Sequence, residues 1–188
     1  MFTFKVVNDS ELMEKVFSFR YEVAHDELNR INENREKKDV DVYDRYAVHF
    51  VAFDKKGKIC ATTRFIVNSP IGYPTENNMQ FDLDIKNRDE FAEISRIFIA
   101  KDVRGMKTTK LIMDNFKELI YHYIKLHNIK FMYGALEPSF LKLLQVLKIN
   151  YKAIGEGADY SGFRYPCILR SEDLVRDNPW LLEIHELV

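Results

Sequence analysis

The sequence predicts a mixed α/β domain built on a single sheet, and three observations carry that reading. The chain has 188 residues, 46% of them hydrophobic, which is enough to bury one real core. Two apolar runs, Val48–Phe53 and Ile59–Val67, are joined by DKKGK, a short glycine-containing connection that signals a β-hairpin. From Glu93 to Ala135 an extended run, a helical run and a second extended run follow in order, the pattern of parallel strands linked by a crossover helix. A single domain over residues 1–188 is expected.

The elements follow in order. From Ser10 to Leu28, Leu12, Val16, Phe19 and Val23 recur at spacings of four, three and four, one face of a helix that Asp9 or Ser10 can cap. Asn29 to Arg45 is dense in charge and poor in apolar residues, and reads as a loop. The hairpin comes next, then a loop punctuated by Pro70, Gly72 and Pro74. EISRIFI, Glu93–Ile99, reads as a strand, and KDVRGMKTT leads into a helix marked by Ile112, Phe116, Leu119, Ile120 and Tyr123. Lys130–Ala135 is a strand and Ser139–Leu147 a helix. Tyr151–Ile154 and Phe163–Leu169 are the last strands.

Composition excludes several classes. With 28 Lys and Arg against 29 Asp and Glu the formal net charge is −1, without the basic surplus of a nucleic-acid binder. Cys60 and Cys167 are too few for a disulfide scaffold or a four-cysteine zinc site, and each lies in an apolar run as a small buried hydrophobe would. His25, His49, His122, His127 and His185 lack metal-ligand spacing, so no metal is expected. No apolar run approaches the roughly 20 residues of a membrane span. MFTFKVVNDSELMEK lacks the basic-then-apolar pattern of a secretory leader, so a soluble cytoplasmic protein is expected.

The informative residues are charges where a core should be. Arg64 interrupts CATTRFIVN, and Glu93 and Arg96 open EISRIFI. Buried charge on a strand is expensive unless paired. In a regular strand Glu93 and Arg96 point to opposite faces; they reach one cleft only if the strand is bulged, which also frees backbone N–H groups for a ligand. The alternative is an edge strand with solvated charges. Arg20 on the first helix and Asp41 and Asp44 in DVDVYD complete three cations and three carboxylates. Such a set suits a zwitterionic small molecule, carboxylates taking its ammonium and arginines its carboxylate.

The run of Arg20, Asp39-x-Asp41-x-Tyr43-Asp44, Arg64, Phe81 and Glu93-Ile94-Ser95-Arg96 resembles the acyl-homoserine-lactone (autoinducer) synthases, whose signature is an arginine, ExDxFD, a strand arginine and ExSR. The likeness spans about residues 20–96 and continues through a helix, a strand and GEGADYSGFRYP. FSFRYEV is also similar to the N-acyl amino acid synthases, and VAHDELNRI lacks the tryptophan usual in the lactone branch. Both families resemble the GCN5-related N-acetyltransferases (GNAT). The resemblance implies a mixed, mostly antiparallel sheet with a splayed central strand pair flanked by helices. In the pyrophosphate-loop motif [RQ]xxGx[GA], Arg104 matches, whereas Lys107 and Thr109 stand where glycines are usual; this suits a donor on acyl carrier protein.

The resemblance further implies acyl transfer from an acyl thioester, on acyl carrier protein or coenzyme A, to an amino-acid-like amine, S-adenosylmethionine in the lactone branch. No cofactor is held permanently. Glu93 is the candidate base. Arg20, Asp41, Asp44, Arg64, Phe81, Ser95 and Arg96 are candidates for the acceptor site, with Arg20 and Arg96 bracing it. Phe98, Ile99, Arg104, Gly105 and Lys107 are candidates for the donor site, and Lys101, Arg104, Lys107 and Lys110 could receive an acidic carrier protein. The alternatives are an ordinary acetyltransferase using acetyl-coenzyme A on a small amine or peptide, and a non-catalytic acyl-thioester-binding module.

Overall fold

The structure, a computed structural model, describes residues 1–183; the last of the five histidines, His185, lies outside the described residues. An eight-stranded sheet organises the chain in the order β1-β2-β3-β4-β5-β8-β6, with β7 paired to β8. Strand β1 (Thr3–Val6) is an edge that the sequence reading missed: four residues are too short to show a period. Helix α1 (Ser10–Tyr21) starts where Asp9 accepts a hydrogen bond from Leu12 N at 2.7 Å, and continues as a π-helical turn over Glu22–Glu27.

The predicted hairpin is β2 (Ala47–Phe53) and β3 (Ile59–Val67), antiparallel throughout. The loop after it holds a short helix, α2 (Pro74–Asn78), which the prolines and glycine concealed. Proline at its first position and Glu76 accepting from Tyr73 N at 3.0 Å are the signals that mark it.

Strand β4 (Phe91–Ile99), helix α3 (Met106–Leu126) and strand β5 (Phe131–Leu136) form the predicted crossover unit, and β4–β5 is the parallel pair of the sheet. Helix α4 (Pro138–Val146) leads to β6 (Lys152–Ala153), β7 (Ala158–Asp159) and β8 (Phe163–Arg170), and α5 (Ser171–Asp177) follows. The apolar face of α3, with Ile112, Phe116 and Ile120, packs on Phe50, Phe65 and Met132 of the sheet. Cys60 and Cys167 are buried there, unpaired.

One feature of the sheet positions everything else. The β4–β5 ladder pairs Phe91 with Phe131, Ala92 with Met132 and Glu93 with Tyr133, then stops, although both strands run on. From Glu93 the two strands diverge, leaving a cleft of about 490 Å³ between them.

Candidate active site

Strand β4 is bulged where its charges lie. Arg64 pairs with Ser95 and Thr62 with Phe98, so Thr63 faces two residues, Arg96 and Ile97. Arg96 takes φ of +53°, left-handed backbone that costs a non-glycine residue about 1 kcal/mol or more. Glu93 and Arg96 therefore both line the cleft, as they could not on a regular strand. The hydroxyls of Thr62 and Thr63 donate to the Arg96 and Ser95 carbonyls at 3.4 and 3.5 Å, satisfying backbone that the bulge displaces.

Behind the cleft the charges close into a ring. Arg20 donates to Asp39 (3.1 Å) and Asp44 (2.8 Å). Arg64 donates to Asp44 and Asp41, both at 2.7 Å. Arg96 donates to Asp41 (3.1 Å) and Asp39 (2.7 Å). Each guanidinium thus bridges two carboxylates and each carboxylate two guanidiniums, with three of each and no net charge. Backbone N–H groups complete it: Asp41 N donates to Asp44 at 2.7 Å and Tyr43 N to Asp41 at 2.9 Å. In DVDVYD the aspartates turn in while Val40 and Val42 stay exposed.

Burial opposes ionisation of Asp39, but Arg96 and Arg20 hold it below its ordinary value. Burial acts on Asp44 likewise, and Arg20 and Arg64 overcome it by a wider margin. His49 sits beside Asp44, 3.3 Å from its carbonyl oxygen; burial pushes it down to about 4, so it adds no charge at neutral pH.

Glu93 stands outside the ring. It is almost fully buried and accepts one hydrogen bond, from Thr75 N at the start of α2, at 2.8 Å. Burial raises its pKa to about 7, against the pull of that N–H. The ring's third carboxylate is thus Asp39, not Glu93, and Thr75 is a site residue that sequence reading missed.

The other candidates separate. Ser95 and Phe98 line the cleft, and Ser95 Oγ accepts from Arg64 Nε at 3.1 Å. Arg20, Asp41, Asp44 and Arg64 belong to the ring behind the cleft and do not line it. Phe81 is off the cleft, packed on Tyr133 with ring centroids 5.7 Å apart. The Ile99 side chain is also outside it; its carbonyl accepts from Arg104 Nε at 2.7 Å, and Arg104 pairs with Glu27. Gly105 caps α3 in extended backbone and leaves the helix start open, with Lys107 exposed beside it. Lys110 is paired with Asp114. Among the described residues no cluster of His, Cys, Asp and Glu is arranged to hold a metal.

A parallel pair that splays beside a bulged strand, with a buried carboxyl at its apex, gives the sheet an open cleft lined by charge and by backbone that the ladder leaves unpaired. The family model for the acetyltransferase (GNAT) domain matches residues 19–114, just over half of the sequence, and the chain belongs to that family. No curated protein sequence matches the chain. Among solved structures it is similar to BjaI, a CoA-dependent acyl-homoserine lactone synthase, with 14% identity and a TM-score of 0.68 over 96% of this chain and 90% of that one. It is similar to the AHL synthase LasI at 13% identity and a TM-score of 0.66, over 90% of this chain and 89% of that one. It is also similar to FeeM, an N-acyl amino acid synthase from uncultured soil microbes, at 11% identity and a TM-score of 0.63, over 98% and 99%. At these identities the likeness is one of fold.

Proposed function

We propose that this acyltransferase moves an acyl group from a thioester on acyl carrier protein or coenzyme A to the amine of an amino-acid-like acceptor. The observation that carries the reading is the placement of Glu93: buried, raised to about 7, and at the apex of the cleft where β4 and β5 part. A base titrating there can take a proton from an ammonium at physiological pH and hold it. The acceptor nitrogen, once neutral, attacks the thioester carbonyl carbon; the C–N bond forms, the C–S bond breaks, and the thiol leaves with a proton. Backbone N–H groups of β4 beyond Glu93, which have no ladder partner on the β5 side, are the donors for the pantetheine arm and the developing oxyanion.

An acyl tail entering the cleft would meet an apolar wall. A small cavity of about 30 Å³, lined by Met113, Phe116, Ile120 and Leu144, shares Ile94 and Ile97 with the cleft. Each CH₂ buried there contributes roughly 0.8 kcal/mol. BjaI has been solved with SAM and isopentyl-CoA, so one candidate acceptor is S-adenosylmethionine, giving a lactone autoinducer; FeeM points to an amino acid, giving an N-acyl amino acid. The carrier protein would meet Lys101 and Lys107, which have no ion pair among the described residues. Two unpaired buried cysteines suit a reducing, cytoplasmic compartment, and among the described residues no helix is long and apolar enough to cross a membrane.

The test is mass spectrometry of extracts from cells overexpressing the chain, with purified protein assayed on long-chain acyl carrier protein and on acetyl-coenzyme A. New N-acylated amino acids or lactones that vanish with Glu93→Gln are expected. Preference for acetyl-coenzyme A would favour the ordinary acetyltransferase. Thioester binding without turnover would leave only a binding module.

A further inference from the structure

The ring leaves the cleft with an unanswered question of charge. An amino-acid-like acceptor brings a carboxylate as well as an ammonium, and the ring's three cations are matched by three anions. Among the described residues Arg64 keeps one buried nitrogen, Nη2, without a partner, but Arg64 does not line the cleft.

A second cluster does. Arg30, from the loop after α1, donates to Glu137 at 2.8 Å and to the Ser161 carbonyl at 3.1 Å. Arg164, on β8, donates to the same Ser161 carbonyl at 3.1 Å, lies 3.8 Å from Glu137, and stacks over the Tyr160 ring at 5.7 Å. All five residues line the cleft together with Glu93. Two guanidiniums thus face one carbonyl and one carboxylate, a local surplus of one positive charge. Among the described residues Arg164 Nε is buried with no hydrogen-bond partner, a donor left without an acceptor. Gly162 makes the approach possible: it sits at φ of +100°, and Arg30 Nη1 is 2.2 Å from where a Cβ would stand.

Resting on the acyl-transfer reading above, we propose that Arg30 and Arg164 form the subsite for the acceptor's carboxylate, so that the acceptor is an amino acid or derivative with that group free. A carboxylate there would take the orphaned Arg164 Nε–H and balance the surplus charge. The position suits the acceptor rather than the donor. Tyr160, stacked against Arg164, lines the same cleft as Glu93 and Arg96. Under the acyl-transfer reading the donor's phosphate sits elsewhere, at the open helix start at Gly105 after the far end of β4.

The test pairs binding with turnover. L-tyrosine, L-methionine and S-adenosylmethionine are compared with tyrosinamide, methioninamide and decarboxylated S-adenosylmethionine, by calorimetry without donor and by acyl transfer with it, on protein whose folding is checked by circular dichroism. The wild type is expected to bind the acids more tightly than the amides by about tenfold or more. Arg164→Gln and Arg30→Gln should each bring the ratio toward one, Arg164→Lys should keep part of it, and Arg170→Gln, an exposed arginine paired with Glu172, should leave it unchanged. A wild type that does not discriminate, or that binds neither form, overturns the proposal, as does a ratio that survives both glutamine substitutions. So does a defect that follows the donor's phosphate, present with acyl-phosphopantetheine and absent with acyl-pantetheine. If the binding ratio behaves as expected while nothing is acylated, the transfer reading fails and the carboxylate subsite stands.

Discussion

Two groups of charged residues meet one cleft, the first mostly from behind it and the second in its wall, and they are put together on opposite principles. The ring of Arg20, Arg64, Arg96, Asp39, Asp41 and Asp44 is closed, neutral and largely buried. The cluster of Arg30, Glu137 and Arg164 is open and partly exposed, and carries one cation too many. In the first, every charge already has its partners, and the pairs tie α1, the 39–44 loop, β3 and the bulge of β4 into one unit. In the second, a charge still needs a partner, and the surroundings leave room for one. Counting charges in a site therefore says little about binding until their mutual pairing is known.

Breaking the ring should produce the largest effect on folding. Asp44→Ala leaves Arg20 and Arg64, both fully buried, short of an anion. Removing one partner of a buried pair costs about 3–5 kcal/mol, so the unfolding free energy obtained from denaturant melts should fall by that much. Loss of less than about 1 kcal/mol would show the ring to be loosely solvated. Because the ring alternates, deleting a neighbouring pair leaves a neutral chain of four. Arg20→Met with Asp39→Leu should therefore destabilise less than Asp39→Leu alone, measured as a double-mutant cycle.

Catalysis should break at a different residue. Glu93→Gln is expected to lower turnover by about 10²–10⁴, with the fold intact. Stability should move the other way. The Glu93 pKa is raised from its ordinary 4.5 to about 7, so burying the carboxylate costs nothing below the lower value, increasingly more between the two, and its full amount above the higher. The Gln variant should then be more stable than wild type at about pH 8, on the order of 3 kcal/mol, and equal to it near pH 4. Wild-type turnover should rise as pH passes about 7 and level off, a limb that Glu93→Gln abolishes. A rate profile flat from about pH 5 to 8 would remove Glu93 as the base.

How far the sequence could be read follows the same division. Arg64, Glu93 and Arg96 were legible because a charge inside an apolar strand is an anomaly that physics must compensate, and the bulge followed from asking how two such charges reach one face. Which carboxylate answers which arginine was not legible: Asp39 lies in a charged loop where an acid is ordinary, and only the fold brings it to Arg20 and Arg96. Thr75 escaped because its contribution is a backbone N–H, which any residue but proline could offer there. Arg30, Glu137 and Arg164 come from three separate segments, polar where polarity is unremarkable, and no spacing rule joins them.

Glu137 gives the finest test of the contrast. Its pairs with Arg30 and Arg164 are about a third exposed, so Glu137→Gln should change stability by less than about 1 kcal/mol. It should nevertheless strengthen binding of a carboxylate-bearing acceptor by a few-fold, since two guanidiniums would then stand without a counter-charge. That gain should shrink as salt is raised from about 0.01 to 1 M, because the site opens to solvent. A weaker acceptor affinity in this variant would mean that Glu137 holds the arginines in place more than it neutralises them, and the cluster would then resemble the ring it is set against.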